Sequence, residues 1–344
     1  MKIPAVVSAL AAAALFGVST PLAKLLIGTV DPWLLAALFY LGSGIGLAAL
    51  RLLTRGADAG LVRRDLPWIA GAVVSGGVIG PVLLMVGLAS TDASTASLLL
   101  TLEGGATALI AWFVFQENFD RRIAVGLACI IIGAAILAWE PAASWRGAFG
   151  PLAIAGACLA WGIDNNLTRQ VALASPVQIA MIKGLVAGAV NLLLATASGV
   201  AMPTPSIALL AGAIGFVGYG LSIVLFIGAL RHLGAARTGA YFSTAPFLGA
   251  VAAVVVLGEP LSLRLIASAA LMATGVWLHL TERHEHEHEH GAVEHDHRHV
   301  HDEHHRHAHA AGDPAAEPHS HRHAHVRLRH SHPHLPDSHH QHSH

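Results

Sequence analysis

A carboxylate, Glu103, stands inside an otherwise apolar run, LLLTLEGGATALIAWFVFQE, Leu98–Glu117. Placing an ionisable group at mid-bilayer costs on the order of 3 kcal/mol, so its presence there calls for a role. It either binds a substrate or a proton, or it anchors helices through a hydrogen bond. Further along, Trp161-Gly162-Ile163-Asp164-Asn165-Asn166 packs an acid and two amides into one short helical stretch. With Thr168 these polar groups cover more than one face, which suits a helix lining a cavity rather than touching lipid. Asp164 meets either a substrate cation or a cation of the protein. Lys183, inside a later apolar run, is the natural counter-ion for Asp164 or Glu103, or the contact for an anionic substrate. Tyr219, Ser222, Tyr241, Ser243 and Thr244 add hydroxyls, each of which helix packing alone would also explain. The candidate substrate- or proton-binding set is Glu103, Asp164, Asn165, Lys183, Tyr219 and Tyr241.

A second chemistry belongs to the last 64 residues, which hold 23 of the 25 histidines. His-x-His repeats run through His284, His286, His288 and His290, through His295, His297, His299 and His301, and again from His319 to His325. Neutral imidazoles with neighbouring Asp and Glu bind zinc, nickel, cobalt or copper, so the first eight of these histidines are the candidate metal ligands. The alternative is a solvated low-complexity extension, and no fixed fold is expected of either. No cofactor is required by any motif.

These groups must be held by membrane-spanning helices. The 344 residues have a mean hydropathy of +0.58, with 54% apolar and only 12% charged residues, a composition no soluble domain shows. Two cysteines, Cys129 and Cys158, both lie in apolar runs and read as small buried side chains. The N-terminal lysine and apolar run could pass for a signal peptide, but its length and the spans that follow favour a retained first helix. Windows of about 20 apolar residues give ten spans, near 4–28, 32–54, 66–89, 92–116, 121–139, 147–170, 175–198, 206–230, 234–257 and 261–280. The fold class is an all-α membrane protein with a disordered tail. Function must then reside between the helices or in the tail.

Orientation follows from lysine and arginine. With the N-terminus inside, the inner ends collect Lys2, Arg51, Arg55, Arg63, Arg64, Arg121, Arg122, Arg169, Arg231, Arg237 and Arg283. The outer ends keep Lys24, read as snorkelling to the interface, with Arg146 and Arg264. Both termini are therefore expected in the cytoplasm and the chain in the inner membrane.

The chain also repeats itself. Aligning Glu117 with Glu259 lays AYFSTAPFLGAVAAVVVLGE (Ala240–Glu259) over the opening run, with Ala245 in the place of Glu103 and Pro246 facing Gly104. FGVSTPLAK (Phe16–Lys24) likewise overlays WGIDNNLTR (Trp161–Arg169), and Asp31-Pro32 matches Ser175-Pro176. With five spans per copy, the second half must be inverted relative to the first. The expected units are 1–140, 141–280 and a tail over 281–344.

The Phe/Trp-Gly starts, the paired Glu117 and Glu259 and the STAPFLGAVAAVVVLGE run resemble the drug/metabolite transporter superfamily in its EamA-type branch. The resemblance covers residues 1–280 and implies two inverted five-helix repeats and a carrier. In the first repeat, Glu103-Gly104 replaces the more usual proline-containing step.

Three readings of function remain. A secondary carrier would move a small polar metabolite, outward by preference, through proton-coupled or facilitated alternating access. A nickel, cobalt or zinc efflux carrier would be fed or regulated by the tail, although residues 3–231 contain no histidine. A tethered metal buffer would use the tail alone. With no phosphate-binding Gly-rich lysine motif, ATP drive within the chain is not expected, and an enzyme ranks last, since neither a nucleophile–base pair nor a metal centre shows in the helices. Expected partners are the lipid bilayer, a small-molecule substrate and transition-metal ions at the tail, with no nucleic acid; a homodimer remains open.

Overall fold

A computed structural model describes residues 5–54, 61–115, 121–139, 145–171, 174–226, 228–229, 238 and 241–281, with tail segments 284–290, 294–299, 319–324 and 328–334. Among the described residues its body forms ten helical segments in two series of five. They are α1 (Ala5–Leu26), α2 (Pro32–Thr54), α3 (Arg63–Ala89), α4 (Ala93–Phe115) and α5 (Arg121–Ala138). The second half repeats the series as α6 (Trp145–Arg169), α7 (Pro176–Ala197), α8 (Pro205–Phe226), α9 (Ala245–Leu257) and α10 (Leu263–Leu280).

Proline near the first position starts α7, α8 and α9, where a missing N–H costs nothing. The Asp31 carboxylate accepts the backbone N–H groups of Trp33 and Leu34 and caps α2. Gly258, at φ +68°, ends α9 in the left-handed conformation. Seven helices, α1–α5, α7 and α8, are long and apolar enough to cross a bilayer. Asp164, Asn165 and Asn166 make α6 less apolar. α9 and α10 are shorter apolar helices; residues 230–237 and 239–240, where the sequence expects span nine to begin, lie outside the described residues.

Packing follows an exchange rule between the halves. α2 lies against its repeat mate α7, and α5 against α10. α1 packs on α9 as α6 packs on α4, and α6 packs on α3 as α1 packs on α8. Swapping each helix for its partner five places on maps this pattern onto itself, as two inverted repeats require. The interfaces are small-residue contacts: a Cβ at Gly17 would strike the Ala245 carbonyl of α9, and one at Gly162 would stand 3.0 Å from Ala106 of α4.

Three passes are irregular along their length. α3 and α8 each carry a π-helical stretch, Val73–Ile79 and Phe216–Leu221, whose first residues are 143 positions apart. α4 is interrupted by a turn at Leu100–Thr101, between Ala93–Leu99 and Leu102–Phe115. Beyond the body, β1 (His284–His290) pairs antiparallel with β4 (Leu328–His334), and β2 (Glu294–His299) with β3 (His319–Ala324). The remaining residues of the tail, on which much of the expectation of disorder falls, lie outside the described ones.

Candidate functional site

The break in α4 is built by a threonine. Thr101 donates from N and Oγ1 to the Leu98 carbonyl (3.0 and 2.7 Å), tightening the chain into a turn. Thr244 does the same to the Tyr241 carbonyl (3.2 and 2.6 Å) ahead of α9. The two breaks are 143 residues apart, so in space Glu103 answers to Pro246, one residue off the register that Glu117 and Glu259 suggest. The break also changes partners. Ala93–Leu99 packs on α9 and α1, and Leu102–Phe115 packs on α6 and α5.

Just past the break, Glu103 meets α6. Asn165 Nδ2 donates to Glu103 Oε1 at 2.9 Å and to Thr107 Oγ1 at 3.2 Å, while Thr107 Oγ1 donates to the Glu103 carbonyl at 2.8 Å. Asn166 spans the same seam, donating to the Thr107 carbonyl at 3.1 Å. The surroundings of Asn165 say what this seam faces. Leu152, Leu159 and Ile163 (60%, 52% and 39% exposed) mark the outward stripe of α6. Asn165 lies seven residues after Cys158 and four after Trp161, on their stripe, and both are buried (1% and 6%). Asn165 is nevertheless exposed. An exposed amide on the inward stripe requires an opening between helices, and Glu103 stands at its wall.

Asp164, one residue earlier, turns to a different neighbour. Lys183 of α7 donates to both of its carboxylate oxygens at 2.6 Å, and Thr168 Oγ1 donates to Oδ1 at 2.8 Å. Both charged side chains are almost enclosed. The pair sits against the π-helical stretch of α3, where any side chain at Gly76 would run into the Asp164 carboxylate. A π turn frees carbonyls from the helical ladder, and here three side chains take them up. Tyr40 Oη (2.7 Å) and Trp161 Nε1 (2.9 Å) donate to the Gly76 carbonyl, and Asn191 Nδ2 (3.1 Å) to that of Gly77.

The expected site residues thus divide into two bonded pairs, Glu103 with Asn165 and Asp164 with Lys183, so that of the two acids offered to Lys183 it is Asp164 that takes it. Tyr219 is buried within an aromatic cluster, its ring 5.5–5.7 Å from Phe16, Phe39 and Tyr40. Tyr241 supplies the carbonyl that makes the α9 break. Lys24 does not simply snorkel; its ammonium donates to the Leu88 and Thr91 carbonyls at 2.6 and 2.7 Å. Thr107, Tyr40 and Asn191 were not singled out by sequence. For Asn191 the signal was present, as an amide in the middle of an apolar span. The side chains of His284, His286, His288, His290, His295, His297, His299 and His301 lie outside the described residues.

Comparison with known proteins agrees with this architecture. The family model described as "EamA-like transporter family" matches residues 3–139 and again 148–281. An "Uncharacterized transporter" of Methanothermobacter thermautotrophicus is 28% identical over 291 residues, covering 79% of this chain and 84% of that protein. A solved crystal structure superposes with a TM-score of 0.60 at 21% identity, over 80% of this chain and 94% of its own, and shares the fold. With both repeats matched, the chain belongs to the EamA-like transporter family and is a multi-pass membrane transporter of the drug/metabolite type.

Proposed function

We propose that the protein is a secondary carrier that exports a small polar metabolite across the inner membrane by alternating access, with Glu103 carrying the coupled proton. The observation that supports this most is the exposed Asn165 on the inward stripe of α6, bonded to Glu103. It marks a cleft with an acid and amides at its wall and a cluster of edge-on and tilted aromatic rings nearby. Asn165 stands four residues before the end of α6, about 6 Å along its axis, so the cleft opens towards the face where α6 ends. With the N-terminus inside, that face is cytoplasmic, and substrate loads from the cytosol. Asp164 and Lys183 satisfy each other and act as a fixed dipole next to the cleft, available to a substrate only when the pair opens.

The test is Glu103→Gln in proteoliposomes. The amide keeps the volume and the bond to Asn165 but holds no titratable proton, so uphill transport driven by an imposed pH gradient should fall to background while exchange of substrate persists. Full gradient-driven transport by that variant would sink the proton role. The substrate is found by comparing metabolites and metals, untargeted, in cells with and without the protein.

A further inference from the structure

The cleft accounts for one side of the membrane; the opposite side, where α1, α3 and α9 end and α4 begins, carries polar groups that it does not use. On the first half of α4, Ser94, Ser97 and Thr101 recur at the spacing of one helical face and are buried at 3%, 1% and 5% exposure. This half of the helix packs on α9 and α1, whose contact residues are Gly249 and Gly17. Ser97 Oγ points into that junction: a Cβ built on Gly249 would stand 2.8 Å from it and 2.7 Å from the Gly17 carbonyl. The Ser97 hydroxyl has no hydrogen-bond partner there. A buried hydroxyl without a partner is costly, and an interface built to stay dry has no need of one. Water entering the junction would satisfy it.

The mouth of the junction is held by opposite charges. Lys24, at the end of α1, places its ammonium on the Leu88 and Thr91 carbonyls that close α3. Glu259, just beyond α9, accepts the backbone N–H groups of Ala93 and Ser94 at 2.7 and 2.8 Å, at the start of α4. The carboxylates facing Lys24 are Asp92 and Glu259. A cation sits on helix-terminal carbonyls and an anion on helix-initial amides, each where the helix dipole favours it. The junction cannot part until at least one of these contacts releases.

We infer that this junction is the exit route, lined by Ser94, Ser97 and Thr101 and latched by Lys24 and Glu259, for a small hydrogen-bonding solute leaving the level of Glu103. The inference rests on the alternating-access reading above. A solute that can exchange hydrogen bonds with hydroxyls crosses here; an apolar one gains nothing from the lining.

The test uses the full chain in cells, with Cys129 and Cys158 replaced by serine and Ser97→Cys supplying the only thiol. A membrane-impermeant cationic methanethiosulfonate is applied from the latch side. Labelling should be slow in the parent and about tenfold faster after Glu259→Gln or Lys24→Gln, the effect of removing a charge-assisted contact that holds a closed state. Met272→Cys, fully buried in α10 against Gly133 of α5, serves as the control and should stay unlabelled in every background. If both latch variants leave the thiol at position 97 as unreactive as in the parent, or if the control thiol at position 272 labels equally fast, the route is overturned. No substrate is needed for this reading, so its failure leaves the Glu103→Gln transport result to stand or fall by itself.

Discussion

Adjacent residues on α6 serve different neighbours because successive side chains on a helix point about 100° apart. Asp164 turns to α7 and α3, and Asn165 to α4. The sequence made both legible as polar groups in an apolar span, and it named Lys183 as a counter-ion for Asp164. It could not divide them, since the choice between Glu103 and Asp164 as partner of Lys183 depends on helix rotation, which composition does not encode. The buried pair carries a prediction at this scale. Asp164→Asn leaves the Lys183 charge enclosed without its counter-charge, and should destabilise the protein by about 3–5 kcal/mol. Replacing both by Leu and Met, similar in volume, should recover most of that loss, read as the midpoint of thermal unfolding in detergent.

At the scale of the element, the informative features are breaks. The ten passes follow from hydropathy, and their duplication from matched pairs such as Phe16-Gly17 with Trp161-Gly162. The π-helical stretch Val73–Ile79 leaves a local mark in the sequence, the Gly76-Gly77 and Gly80-Pro81 steps that permit a kink, but what stabilises it comes from Tyr40, Trp161 and Asn191 on three other helices. The turn in α4 had a weak mark, Thr101 before Gly104-Gly105, which an apolar window averages away. Close approach of helices sets a further expectation. A methyl group at position 249 would meet the Gly17 backbone carbonyl, which belongs to the helix and cannot swing aside. Gly249→Ala should therefore push α9 from α1 and cost about 1–3 kcal/mol, measured by the same unfolding midpoint. Gly104→Ala, where a Cβ meets nothing within 4 Å, should cost little.

For the whole molecule, a body of charge +4 is joined to a tail of −5, counting Asp, Glu, Lys and Arg alone, and the tail adds 23 histidines to that balance as they protonate. Purified full-length protein should bind nickel or zinc more tightly than the chain ending at Thr281. Binding should weaken as pH falls through about 6.5, where imidazoles gain the proton that displaces the metal. Isothermal titration at two pH values checks both; equal binding by the shortened chain would place the metal sites elsewhere. Nickel, cobalt and zinc tolerance of cells carrying the shortened chain then separates a tail that feeds an efflux carrier from one that does not.

The interlocked repeats also govern how the protein can be made. Gly17 on α1 finds its neighbour only when Gly249 on α9 exists, and Ala106 on α4 only when Gly162 on α6 does. During synthesis the first helix must therefore wait in the bilayer, its glycine groove unfilled, until nearly the whole body has been translated. Neither five-helix half can finish folding on its own. A ribosome that stalls in the second half leaves a set of helices whose contact faces are still open to lipid and to quality control.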